Sequence, residues 1–233
     1  MRLTTASLGH ATRSLARRDA VIANIVRRHG PAPMWGRRAG FATLVQIILE
    51  QQVSLASGRA AFLRLERAAG EATPERISAM TVAQLRAAGI TRQKAEYVSL
   101  LARATASGSF DPRRVARLAD DEARTALVAL KGIGPWSADV YLLMALRRAD
   151  AWPSGDLALQ IAAKEVLRLR SLPDATRMEA LGERWRPWRA VAARLLWHHY
   201  LSTPRVRAIA RSPSSSSKSG SNRRPRTSRP GRT

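Results

Sequence analysis

Two stretches of the 233-residue chain combine residue types that could act on a phosphate-bearing polymer: Leu130-Lys131-Gly132-Ile133-Gly134-Pro135-Trp136-Ser137-Ala138-Asp139 and Trp152-Pro153-Ser154-Gly155-Asp156. Glycine supplies backbone angles that other residues avoid and proline suits a first helical turn, so the former reads as a helix that ends, bends and restarts. The restarting helix presents unpaired N–H groups at the positive end of its dipole, a site for a phosphate. The latter stretch ends in a carboxylate, able to stabilise a developing positive charge. The commoner task of such an aspartate is an N-cap on the apolar-periodic Leu157 to Leu169, and the two tasks are compatible because a cap anchors the side chain.

The elements that must position these groups all read as helices. Leu15 to His29 carries the stripe Val21, Ile22, Ile25 and Val26 and stops at Gly30-Pro31. Phe41 to Gln51 is apolar enough for a buried helix, and Ser54 or Ser57 could cap its successor. Further helix starts stand at Thr73-Pro74, Thr81, Thr91, Asp111-Pro112, Asp120, Asp174 or Thr176, and Pro187. Nothing alternates with the period of a strand. The expected organisation is a flexible basic leader over 1–14, a helical domain over 15–202 with its hairpin at about 122–147, and a disordered Ser/Arg/Pro tail over 203–233.

A formal net charge of +23 predicts a polyanionic partner and salt-sensitive binding, with nucleic acid ahead of an anionic membrane. A hydrophobic fraction of 45% suits a folded core, and no apolar run approaches a membrane span. The absence of cysteine excludes disulfides, thiolate-bound metal and an iron–sulfur cluster. His10 and His29 lack ligand partners at metal spacing, and the adjacent His198 and His199 face different sides of a helix, so no metal site is expected. The acid-free Met1 to Arg18 has a composition shared by basic leaders and organelle transit peptides. The compartment is accordingly cytoplasm or nucleoid for a bacterial chain, with a nuclear or organellar address left open.

Three more stretches complete a pattern: Ile48-Leu49-Glu50-Gln51-Gln52-Val53-Ser54, Gly89-Ile90-Thr91-Arg92-Gln93-Lys94-Ala95-Glu96-Tyr97, and Trp185-Arg186-Pro187-Trp188-Arg189 running to Trp197. Over roughly Asp19 to Tyr200 the chain resembles the helix-hairpin-helix Gly/Pro/Asp superfamily of DNA glycosylases, in particular its 3-methyladenine DNA glycosylase II branch. The resemblance implies an all-α, two-lobed fold without a β lobe. It also implies an enzyme that binds double-stranded DNA, flips out an alkylated purine (3-methyladenine or 7-methylguanine, with deaminated or ethenylated purines further candidates) and hydrolyses its glycosidic bond; a monomer is the default expectation for an enzyme that wraps a duplex.

On this resemblance Asp156 is the catalytic carboxylate. Trp136, Tyr141 and Trp197 form the base pocket, where a cationic purine stacks on aromatic faces. Gln52 is the wedge that fills the vacated duplex position, with Gln51 and Ser54 supporting its loop. Lys131, Gly132, Gly134 and Ser137 contact phosphate. No cofactor is implied beyond a structural monovalent cation at the hairpin. Relatives that also cut the strand carry a lysine two residues after the second hairpin glycine; Trp136 stands there, so an abasic site should be the end product. Where relatives often have an aromatic after the position of Asp139, this chain has Val140. The competing reading is a catalytically idle helix-hairpin-helix DNA-binding module, which gives no reason for Asp156 at that spacing.

Overall fold

A computed structural model describes residues 1–204. Its helices are α1 (Thr5–Arg18), α2 (Ala20–His29), α3 (Phe41–Glu50), α4 (Leu55–Ala69), α5 (Pro74–Ser78), α6 (Val82–Ala87), α7 (Arg92–Ala106), α8 (Pro112–Val115), α9 (Asp120–Val128), α10 (Pro135–Met144), α11 (Leu157–Val166), α12 (Ala175–Gly182) and α13 (Arg189–Ser202). Among the described residues the sole strand-like pairing is an isolated bridge between Arg2 and Arg148. The fold is all-α, as the periodicity implied.

Capping explains most of the boundaries. Thr73, Thr81, Thr91, Asp156 and Asp174 each accept a backbone N–H of the helix they precede, satisfying donors that a first turn cannot pair. Ser54, the first of the two candidates, caps α4 through the Ser57 amide.

The helices sort into two lobes. In the middle of the chain α3 packs on α4, α7 and α10, α7 on α5 and α6, and α9 on α8 and α10. The other lobe joins the ends of the domain: α13 packs on α11, α1 and α2, and α1 on α2. Trp152 and Trp185 lie in the core with ring centroids 5.4 Å apart.

The N-terminus corrects the expectation of a flexible leader over 1–14. Thr4 and Ser7 form a capping box, and Leu3, Leu8, Ala11 and Leu15 are buried along one stripe. The Leu3 amide donates to the Arg147 carbonyl at 2.7 Å, and the Ala149 amide to that of Met1 at 3.0 Å. Burying a leucine side chain stabilises by about 1.5–3 kcal/mol, so the stripe outweighs the polar composition that suggested a leader. Helix α1 ends at Asp19, splitting the single helix expected from Leu15 to His29. That carboxylate caps α2 through the Val21 and Ile22 amides and also accepts from Trp185 Nε1 and Arg184 Nε. The tail expected from residue 203 lies, beyond Pro204, outside the described residues.

Candidate active site

Asp156 closes the turn that begins at Trp152 and opens α11. Its amide donates to the Pro153 carbonyl at 2.9 Å, and Gln160 Nε2 donates to that of Ser154 at 3.1 Å, which fixes the turn. Its Oδ1 accepts from the Leu159 amide at 2.8 Å and from Trp197 Nε1 at 3.0 Å, and its Oδ2 accepts from Trp136 Nε1 at 2.9 Å. These donors are neutral dipoles, which stabilise the charge without cancelling it.

Asp139 shows the opposite arrangement. It lines a separate cavity of about 430 Å³, and both of its oxygens are taken by Arg124, Nε at 2.9 Å and Nη2 at 3.2 Å. Burial pushes the Asp139 pKa above its ordinary value despite that partner. A carboxylate locked in a bidentate pair holds the α9–α10 hairpin together and has no oxygen to spare.

The hairpin turn joins α9 to α10. Gly132 has φ +92, and a β-carbon there would run into the ring of Tyr97 on α7, so only glycine lets the turn seat against that helix. Gly134 differs: it is exposed, its φ is negative and its missing β-carbon would meet nothing within 4 Å. It precedes α10 without a side-chain cap, leaving the amides of Trp136 and Ser137 to an outside acceptor. Lys131 stands exposed beside them. The Ser137 side chain does not fit its expected phosphate contact, because it is buried and its hydroxyl accepts from Gln51 Nε2 at 2.9 Å.

That same amide donates to the Gly132 carbonyl at 2.8 Å, tying the loop after α3 to the hairpin. A monovalent cation at the turn would have to share this carbonyl with it. Gln52 follows, exposed and left-handed at φ 55, and Ser54 begins α4. Lys94, in the stretch from Gly89 to Tyr97, is a further residue of the site: its ammonium donates to the carbonyls of Leu49 and Gln51. Spacing alone carried no signal of that contact, since it joins helices α3 and α7.

An open cleft of about 1110 Å³ brings these parts together: Gln51 to Ser54, Lys94, the turn from Lys131 to Gly134, Trp136, and Gly155 to Ala158 with Asp156 among them. Two expected pocket aromatics stand elsewhere. Tyr141 is fully buried and its hydroxyl accepts the Gly40 amide at 2.9 Å, so it is a core residue that joins α10 to the start of α3. Five residues along α10 from Trp136, it points away from the cleft wall that Trp136 forms. Trp197, 9% exposed, reaches Asp156 by its indole edge and is not among the cleft's lining residues. Val140 is buried in the core.

Residues 45–187 match the family model described as HhH-GPD superfamily base excision DNA repair protein, more than half of the chain. The chain belongs to this superfamily. DNA-3-methyladenine glycosylase 1 of Schizosaccharomyces pombe is 27% identical to this HhH-GPD protein over 180 residues, covering 76% of this chain and 79% of that one. The YfjP protein of Bacillus subtilis is 27% identical over 181 residues, and there the match spans 74% of this chain but 63% of the relative. Among solved structures, the S. pombe 3-methyladenine DNA glycosylase Mag1 in complex with abasic DNA superposes with a TM-score of 0.73 at 26% identity, over 81% of this chain and 95% of that one. A Bacillus halodurans DNA-3-methyladenine glycosidase superposes with a TM-score of 0.72 at 27% identity, over 82% and 89% of the two chains.

Proposed function

We propose that this HhH-GPD protein is a monofunctional DNA glycosylase that hydrolyses the glycosidic bond of a flipped, N-alkylated purine and leaves an abasic site. The observation that carries the reading is the Asp156 carboxylate, held by the indoles of Trp136 and Trp197 on the wall of the cleft that also contains the hairpin turn.

The unpaired amides at the head of α10, with Lys131 beside them, grip a phosphate of the damaged strand, and Gly134 lets the strand come close. Gln52 enters the duplex as the nucleotide swings out. Trp136 forms part of the wall beside the base, while its Nε1 holds Asp156 Oδ2. As the bond from sugar to base breaks, its electron pair leaves with the cationic purine, which departs neutral. The positive charge that grows on the sugar ring is stabilised by Asp156 until water adds at the anomeric carbon and sheds a proton. The alkylated base is already a good leaving group, so one anion suffices.

Strand cleavage needs an amine to attack the abasic sugar. Trp136 stands where lyase relatives carry lysine, and the Lys94 ammonium is engaged by two carbonyls, so the product is an intact abasic strand. The enzyme works as a monomer on double-stranded DNA. The working unit is the helical domain Met1–Thr203, with α1 part of it.

The test is release of methylated purines from alkylated duplex DNA by the unaltered chain and by Asp156→Asn. Release by the first, its near-complete loss in the second, and equal DNA binding by both are the expected results. Nicks should form only after added alkali. Equal release by both proteins refutes the role of Asp156, and nicks without alkali refute the monofunctional reading.

A further inference from the structure

The loop after α3 carries a conformation that its own sequence does not favour. Gln52 occupies the left-handed region at φ 55, where a residue with a long side chain is uncommon and must be held by its surroundings. No glycine stands within Gln51-Gln52-Val53-Ser54 to ease the bend.

Two anchors flank the bend. The side-chain amide of Gln51 donates to the Gly132 carbonyl and Ser137 hydroxyl, fastening the loop to the hairpin. On the backbone side, Lys94 of α7 sends its ammonium to the Leu49 carbonyl at 2.8 Å and the Gln51 carbonyl at 2.7 Å. The last carbonyls of a helix have no partner within it, and a cation at that end meets the negative pole of the dipole. The Gln51 carbonyl belongs to the peptide unit that joins Gln51 to Gln52, so fixing it fixes the plane from which Gln52 departs.

We propose that Lys94 is a positioning residue for nucleotide extrusion: it clamps the Leu49 and Gln51 carbonyls so that Gln52 stands ready to enter the duplex. This rests on the glycosylase reading above. Lys94 acts through Gln52 and takes no part in bond breaking. Burial lowers the Lys94 pKa from its ordinary value. Its contribution therefore falls on the step in which base pairing is broken, not on the step that Asp156 serves.

The experiment compares Lys94→Met and Lys94→Arg with the unaltered chain on two duplexes. In one, 7-methylguanine is paired with cytosine; in the other it lies opposite a tetrahydrofuran abasic analogue, where there is no pair to break. Single-turnover release and thermal melting are measured for each protein. Methionine keeps most of the apolar stem and removes the donors, so Lys94→Met should release the paired lesion about tenfold more slowly, the scale of a lost charged hydrogen bond. The defect should shrink to about twofold on the unpaired lesion, because extrusion there is already cheap. Lys94→Arg keeps the charge and donors and should stay within about threefold of the unaltered chain on both. Unchanged release of the paired lesion by Lys94→Met overturns the proposal. So does an equal loss on both duplexes, the mark of a general structural or chemical defect. If the unaltered chain released no base from either duplex, the glycosylase reading itself would fall and this proposal with it.

Discussion

The indole of Trp197, on α13, donates to Oδ1 of Asp156, at the head of α11, across 3.0 Å. The terminal lobe thereby orients a carboxylate on the cleft wall, through a ring that is itself 9% exposed and lies behind the lining residues. Trp197→Phe should retain most of the packing and lose the donor. A hydrogen bond to a charged group contributes about 1.5–3 kcal/mol, so single-turnover base release should fall at least about tenfold. KM should change little, because Trp197 stands behind the lining residues. A rise in KM with unchanged single-turnover rate would instead place this ring against the substrate.

The two hairpin glycines should respond differently to alanine. At Gly132 a β-carbon meets the Tyr97 ring on a backbone of positive φ, so Gly132→Ala should lower the melting temperature and DNA affinity together. At Gly134 there is open space and an ordinary φ, so Gly134→Ala should melt like the unaltered chain while binding DNA more weakly, the new methyl standing where the strand approaches. Melting and fluorescence-anisotropy titrations on the same preparations separate the two effects. Equal DNA binding by Gly134→Ala would remove the phosphate from that face.

Tyr141→Phe tests the reassignment of that residue from pocket to core. Removing the hydroxyl takes the partner from the half-buried Gly40 amide, at a cost of about 1 kcal/mol in denaturant unfolding. Base release at a temperature well below melting should be unaffected. A selective loss of activity without a stability change would return Tyr141 to the substrate.

His198 should make the fold acid-sensitive. Burial, and then the charge of His29, lower its pKa from the ordinary 6.5, and its Nδ1 is buried without a hydrogen-bond partner. Below pH 6.5 the unfolded chain takes up a proton at this site more readily than the folded one. The stabilising contribution of neutral His198 is thus present above that pH and lost as the pH falls through the folded-state value. Melting curves between pH 7.5 and 5.5, in steps of about half a unit, should fall more steeply for the unaltered chain than for His198→Phe, which has no proton to gain. Parallel curves would show that His198 does not couple to folding.

Local sequence determined the helices and most of their starts, because capping side chains and apolar periodicity act over a few residues. Asp156 was legible both as a cap and, through its family resemblance, as a cleft carboxylate, since its position depends on the short turn before it. The charge and the Gly-Ile-Gly bend were likewise enough to indicate a polyanionic partner. Only tertiary structure decided which neighbours these groups meet. Leu3, Leu8 and Leu15 turn a basic N-terminus into a packed helix because α2 and α13 give their stripe something to bury against. Tyr141 belongs to the core because Gly40 approaches its hydroxyl from another element. Lys94 reaches Leu49 and Gln51 across a span of sequence that no local pattern bridges. Helix geometry is set by neighbours within a turn or two, whereas a side chain's work is set by whatever the rest of the chain brings to its tip.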